Sequence, residues 1–329
     1  ALAQPRDLHA LDLARGHVAA LERLGARAEN LHIARSRNDI DATLYRMDLR
    51  RSVLNLHDQL GELSVSLHRV AAEHVDTVMP GYTHGQQAQP TTLAHYLGAV
   101  LDGLERSRAR FRAIYQETNR SPLGAAAFTT SGFYVDRELL ADLLGFQGVV
   151  RNSYDAVAAS DYVLLFVNEC AVAASLLSRF VADLMFWCSN EVNAFRIDDS
   201  FIQVSSIMPN KRNPVVLEHI RSRLARALSV GQQAYALHAN VPFGDINDTA
   251  DNLQPVWHCA ADLMTEASAL LSHVVASGTF DRELLLRRAR EGYGCVTELA
   301  DTLVREYHLT FRQAHSVVSR VVDMARGQG

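Results

Sequence analysis

The sequence predicts an all-α fold built on a long central helix bundle, and three observations point there. Helix breakers are sparse over long stretches. Of eight prolines, at 5, 80, 90, 122, 209, 214, 242 and 255, none lies between 122 and 209 or after 255, and no glycine lies between Gly148 and Gly231. An interior proline costs a helix about 3 kcal/mol and a glycine about 1, so such stretches suit long helices. Apolar residues recur at helical spacing, as in Leu93, Tyr96, Leu97, Val100 and Leu104. Finally, no strand–helix alternation, Gly-x-Gly-x-x-Gly or Walker loop occurs, which argues against a nucleotide-binding sheet.

In chain order, a first helix is expected from Asp41 to about Val75, through Leu44, Met47 and Arg51. A second begins near Leu93 with one apolar face. A third, Asp161 to about Asn190, is apolar nearly all round (Val163, Leu164, Phe166, Val167, Leu176, Leu177, Phe180), so one chain's bundle or neighbouring subunits must enclose it. Further helices are expected over Leu217 to about Leu237, Leu263–Ser277, and Phe311–Met324 after Thr310 as N-cap. Segments near 80–90, 121–133, 203–214 and 241–255 read as loops, and the polar motifs cluster there. No internal repeat is visible. Three regions are expected: 1–75, 76–258 and 259–329.

With 329 residues, 48% hydrophobic and 21% charged, the chain can bury a large core. A formal net charge of −5 without a basic run gives no footprint for nucleic acid. Cys170, Cys188, Cys259 and Cys295 are scattered with no Cys-x-x-Cys pair, which points to free thiols in a reducing compartment, the cytoplasm. Asp7, His9 and Asp12 interrupt any signal-like run. The most apolar window, Tyr162–Trp187, contains Asn168, Glu169, Arg179 and Asp183, as a core helix would and a membrane span would not.

The most informative stretch is Ser205-Ser206-Ile207-Met208-Pro209-Asn210-Lys211-Arg212-Asn213-Pro214. It sets hydroxyls, an ammonium and an amide ahead of a helix, with Asn213 expected as N-cap and Pro214 at the first helical position. The positive end of that helix, with Lys211 beside it, suits negative charge near a hydroxyl. A second cluster, Arg35-Ser36-Arg37-Asn38-Asp39, reads equally as a carboxylate clamp or as a solvated helix start. A third, Met79 to Pro90, frames His84 between Pro and Gly, where it is a candidate acid or base or a structural histidine. Ser121 to Ala127 forms a small-residue turn, and Asn152-Ser153-Tyr154-Asp155 a cap or polar contact before the long central helix.

The loop from Ser205 resembles the signature of the fumarase/aspartase superfamily, Gly-Ser-Ser-x-Met-Pro-x-Lys-x-Asn-Pro, except that Val204 replaces its leading glycine. Within that superfamily the chain resembles the argininosuccinate lyase family. The resemblance rests on Arg35–Asp39, on Met79–Pro90, on the turn Pro122-Leu123-Gly124, on Val135–Glu138, on Asn152–Ala156 and on Phe311–His315. It implies a fumarase/aspartase-type bundle forming a multi-helix core in a homotetramer, with each active site shared among three subunits. It also implies further chain before residue 1 and after Gly329. The chemistry implied is a carbon–nitrogen lyase reaction without metal or organic cofactor: β-elimination from an N-substituted aspartate to fumarate and an amine, or the reverse. Ser205 would be the base and Lys211 its positive neighbour. His84 would act on the leaving nitrogen or orient the substrate, and Glu218 would pair with that histidine. Ser36, Arg37, Asn38, Thr83, Gln89, Ser206 and Asn213 would hold the substrate. No His-Glu-x-x-His or similar metal spacing is present.

The likeness breaks down at Val241–Pro255. There the family carries a tyrosine, a glutamine and a lysine for the arginine half of its substrate, and this chain has Asp245, Ala250 and Leu253. His32-Ile33-Ala34 also replaces the family's His-Thr-Gly. Losing polar partners for a guanidinium is costly, so a different amine half is expected. Asp245, Asp248 and Asp251 could meet a cationic amine or form a solvated acidic loop. The alternatives are a true argininosuccinate lyase and a non-catalytic structural protein on the same fold.

Overall fold

The computed structural model describes residues 30, 33–245 and 247–327, the side chains of 247–251 excepted. His32 and the side chains of Asp248, Ala250 and Asp251 therefore lie outside the described residues. Among the described residues there are ten helices and three two-stranded ribbons. In order they are α1 (Arg37–Glu73), β1 (Val78–Thr83), β2 (Gln86–Thr92), α2 (Leu93–Thr118), α3 (Arg137–Leu143), α4 (Ser153–Ala158) and α5 (Asp161–Cys188). Then follow β3 (Phe195–Arg196), β4 (Gln203–Val204), β5 (Arg212–Asn213), α6 (Val215–His238), α7 (Asn247–Ser277), β6 (Thr279–Phe280), α8 (Arg282–Glu291), α9 (Val296–Tyr307) and α10 (Phe311–Arg326). The fold is the expected all-α bundle of long helices.

The chain divides into two compact units. One comprises Ala1–Arg50, Gln116–Asp161 and Asn240–Asn252, and the other Arg51–Tyr115, Tyr162–Ala239 and Leu253–Gly329. In the second unit, five long helices close a ring of contacts around one core. α1 meets α2 at Gly61, where an added Cβ would stand 3.2 Å from the Arg108 guanidinium. α2 meets α5 through Phe111 and Phe166, ring centroids 5.9 Å apart, and through an ion pair between Arg110 and Glu169. At Gly103 an added Cβ would fall 2.6 Å from the end of the Leu176 side chain, so a larger residue would have to displace that leucine. α5 meets α6 where Gly231 faces Ala171. Arg223 on α6 donates to Glu266 on α7 at 2.7 Å, and Ser66 and Ser272 join α1 to α7 at 2.8 Å. The interior is filled by fully buried Leu60, Leu63, Leu67, Phe166, Leu177, Leu224, Met264 and Leu271. By length and composition α5 could cross a membrane, but its buried Glu169 and its neighbours on two sides place it in this core.

Several boundaries differ from the sequence-based expectation. α1 begins at Arg37 rather than Asp41 because side chains satisfy two amides at its first turn: Ser36 N–H donates to Asp39 Oδ1 at 2.9 Å and Asn38 N–H to Ser36 Oγ at 3.3 Å. The stretch near 80–90 is a hairpin, not a loop. α7 starts at Asn247 and carries Pro255 inside it, where a loop was expected to 255 and a helix only from Leu263. Leu253, Val256 and Trp257 flank that proline, each no more than 4% exposed. Their burial outweighs its cost of about 3 kcal/mol. Asn152 caps the short α4, not the long α5, its Oδ1 accepting from the Tyr154 and Asp155 amides. Thr310 caps α10 as expected, in a capping box with Gln313.

Candidate active site

The segment from Ser205 is the connection of a small ribbon. Gln203 pairs with Asn213 and Val204 with Arg212, so residues 205–211 are held at both ends. An ion pair between Arg212 and Asp199 ties the ribbon to the preceding turn. Inside the connection, Ser205 Oγ accepts from the backbone N–H of Met208 at 3.1 Å and of Ile207 at 3.4 Å, and the Lys211 N–H donates to the Met208 carbonyl at 3.0 Å. Backbone donors aimed at a hydroxyl oxygen favour its anionic form. Ser205 and Asn213 are half-buried, and Ser206 and Lys211 are exposed.

The expected cap is corrected by one residue. Pro214, not Asn213, is the N-cap of α6, and no side chain caps that end; Asn213 belongs to β5. A side-chain cap at Asn213 would need it outside the ladder, and pairing with Gln203 keeps it in. Glu218 lies exposed in the first turn of α6, a position that also favours a carboxylate through the helix dipole.

His84 and Gly85 form the two-residue turn of the β1–β2 hairpin, between paired Thr83 and Gln86. Both turn residues have positive φ, 53° and 72°, as a type I′ turn requires. Residues other than glycine are uncommon at such a φ, so the hairpin presents this side chain at some conformational cost. Its base is anchored: β1 packs on α8, and at Gly294 an added Cβ would lie 2.7 Å from the Ala88 carbonyl. Thr83, His84 and Gln89 are all exposed. Among the described residues, His84, Ser205 and Glu218 share no hydrogen bond or ion pair.

The other motifs fall in the first unit. Ser36 is the start of α1, its hydroxyl donating to Asn38 Oδ1 at 3.2 Å, while exposed Arg37 sits 3.8 Å from Asp41. Its helix-start role is therefore present whether or not it also binds a ligand. Sequence reasoning missed the importance of Asp39, which is fully buried. Its Oδ2 accepts from the Gly124 and Ala126 amides at 2.9 and 3.0 Å, and its Oδ1 from Ser36. Arg137 holds the same turn from the other side, donating to the Leu123 carbonyl at 3.2 Å and the Val150 carbonyl at 2.8 Å; burial lowers its pKa. Asp39→Ala should lower stability by about 3 kcal/mol, since one buried and two half-buried amides lose a charged acceptor, and Asp39→Asn by less. Urea unfolding of the two variants checks this, and equal losses would contradict it.

Leu253 is 2% exposed and part of the core. Among the described residues no group of His, Cys, Asp or Glu could hold a metal ion.

Residues 10–229 match the family described as Lyase, and residues 294–329 the family described as Argininosuccinate lyase C-terminal. The argininosuccinate lyase of Methanoculleus marisnigri is 40% identical over 89% of this chain and 59% of its own length. That of Shouchella clausii is 36% identical over 91% of this chain and 60% of its own. An EDDS lyase in complex with formate superposes with a TM-score of 0.87 at 32% identity, covering 95% of this chain and 62% of that one. A class II fumarase from Schistosoma mansoni, 18% identical, shares the fold with a TM-score of 0.77 over 90% of this chain and 66% of its own. A helical bundle carrying the serine loop and the histidine hairpin defines the lyase class of the fumarase/aspartase fold. The chain belongs to the argininosuccinate lyase family of that superfamily. It spans about three fifths of the length of the curated relatives it matches.

Proposed function

We propose that the protein is a carbon–nitrogen lyase that splits an N-substituted L-aspartate into fumarate and an amine, or runs the addition in reverse. The observation that carries this reading is the setting of Ser205, whose Oγ already accepts the Ile207 and Met208 N–H groups in the connection that also carries Lys211. A serine hydroxyl is a poor base unless its anion is stabilised, and these donors together with the Lys211 ammonium do that. In the elimination, Ser205 Oγ takes the proton from the succinyl carbon next to the distal carboxylate. The electron pair moves into that carboxylate as an aci-dianion, then returns to form the double bond as the carbon–nitrogen bond breaks. The leaving nitrogen takes a proton, which His84 supplies directly or by orienting water. Thr83, Gln89, Ser206 and Asn213, with Ser36, Arg37 and Asn38, hold the carboxylates as donors.

Exposure of Thr83, His84, Ser206, Lys211 and Glu218 fits a site completed by other copies. In a homotetramer sharing each site among three subunits, Glu218 of one copy would be the partner of His84 of another. The exposed apolar side chains Leu165, Val172 and Phe186 along α5 suit burial in such an assembly. A cytoplasmic setting agrees with the four free cysteines.

For the amine half, Asp245 stands where the family has tyrosine, and the aliphatic Leu253 is buried where the family has a lysine. We therefore read the substrate as an N-succinyl amine or amino acid other than argininosuccinate. A second reading, argininosuccinate itself, is favoured by the curated relatives, which are argininosuccinate lyases. The bound fumarate of an EDDS lyase variant, 32% identical to this chain, agrees with either. Fumarate release from argininosuccinate, followed by ultraviolet absorbance, separates them: the expected kcat/KM lies below about 10⁴ M⁻¹s⁻¹, the low end for working enzymes. A value well above that would establish the second reading.

A further inference from the structure

We propose that the stacked rings of Phe128, Tyr154 and Phe243, with Asp245 two residues after the last of them, seat the amine half of the substrate, and that this half carries a second positive charge. The inference rests on the lyase reading above. All four residues belong to the first unit. Phe128 and Tyr154 stack at 4.4 Å between centroids with planes 20° apart, and Tyr154 and Phe243 follow at 5.9 Å and 22°. The Tyr154 hydroxyl donates to the Phe243 carbonyl at 3.1 Å, so it fixes the loop and is not itself free for a ligand. Gly244 lies against the Phe128 and Tyr154 side chains, its Cβ direction 3.7 Å from Phe128 and 3.8 Å from the Tyr154 hydroxyl.

This stack is tied to the proposed carboxylate clamp. Phe128 follows the turn whose Gly124 and Ala126 amides bind Asp39, and the same carboxylate receives the Ser36 N–H. A substrate with its succinyl end on Ser36, Arg37 and Asn38 therefore has a ring platform positioned by the same buried group. The last ring, Phe243, is 64% exposed. Its face carries partial negative charge, and half-buried Asp245 adds a full one; among the described residues no cation pairs with it. Such a surface draws an organic cation, by cation–π attraction and by a charge-assisted hydrogen bond, and repels a further carboxylate. In the addition direction the attacking nitrogen must be neutral. It forms the carbon–nitrogen bond, the double bond breaks, and a proton goes to the adjacent carbon. The second amino group stays protonated throughout and remains on Asp245.

The test uses the full-length protein with fumarate and two amines of equal size, propanediamine and butylamine, in which an ammonium replaces a methyl. Wild type should prefer the diamine by about tenfold or more in kcat/KM. Phe243→Leu and Asp245→Asn should each cut that preference by about fivefold, with unfolding midpoints recorded to show that both fold. Equal use of the two amines, consumption of neither, or an undiminished preference in both variants would overturn the inference. Fumarate binding by calorimetry tells the two failures apart: if fumarate still binds, the lyase reading survives, and if it does not, both readings fall.

Discussion

Replacing Ser205 by alanine is expected to lower kcat by about a thousandfold or more while leaving the fold and the assembly intact. The side chain is half-buried in an exposed connection, and its loss leaves two amides, of Ile207 and Met208, that water can reach. The stability cost is therefore below about 1 kcal/mol. The chemical cost is large because no other hydroxyl in the connection shares that position: Ser206 is the next residue, exposed, and outside the pair of amide bonds. Ground-state binding should survive, because the donors proposed for the carboxylates are untouched, so the loss belongs in kcat rather than KM. Stopped-flow fumarate formation, with calorimetric fumarate titration of the variant, checks both halves. A variant keeping a tenth of the rate would place the base elsewhere. A wild type with no rate to lose would favour the structural-protein reading, in which the serine connection is only a linker between β4 and β5.

The long helices were legible because their cause is local. Apolar repeats placed the start of α2 and both ends of α5 and α6 to within about three residues, the usual uncertainty at helix ends. α7 was misjudged because its first turns depend on tertiary burial. Pro255 and a polar approach read as a loop, and only the packing of Leu253, Val256 and Trp257 overrides them. The β1–β2 hairpin was hidden because its strands are rich in glutamine and proline and lack a clear apolar alternation, although His84-Gly85 has the shape of a two-residue turn. For the site, residue types and order were readable, and the Ser205 and His84 segments were singled out. What could not be read was which groups support them. Asp39 looks like any acid after an arginine-rich stretch, yet it ties nearby Ser36 to Gly124 and Ala126, which lie 85 and 87 residues away. The stack of Phe128, Tyr154 and Phe243 joins three segments that share no sequence pattern.

The second large effect lies far from the chemistry, in the contact between α2 and α5, and it is expected to be asymmetric. Arg110 meets Glu169 through two donors: Nε, and Nη2 at 3.0 Å from Oε1. Nη2 also lies 3.2 Å from Ser107 Oγ. The Glu169 side chain is 4% exposed, and that of Arg110 is 46% exposed. Removing the arginine strands a carboxylate in the bundle with its compensating charge gone. Removing the glutamate leaves a guanidinium that can swing out into water. Arg110→Ala should therefore cost about 3–5 kcal/mol, the usual loss when one partner of a buried pair is taken away. Glu169→Leu should cost about 1 kcal/mol or less, since a similar volume fills the site and nothing charged stays buried. The pair thus serves less as a source of stability than as a marker of register, with the one buried acid of α5 met by a single arginine of α2. Chemical denaturation of the two single variants and of the double variant measures the difference. The double variant should recover most of what Arg110→Ala alone loses, because it no longer leaves an unpaired charge inside. Equal costs for the two single variants would mean that Glu169 reaches water in the folded protein, and that the α2–α5 contact is looser than its geometry implies.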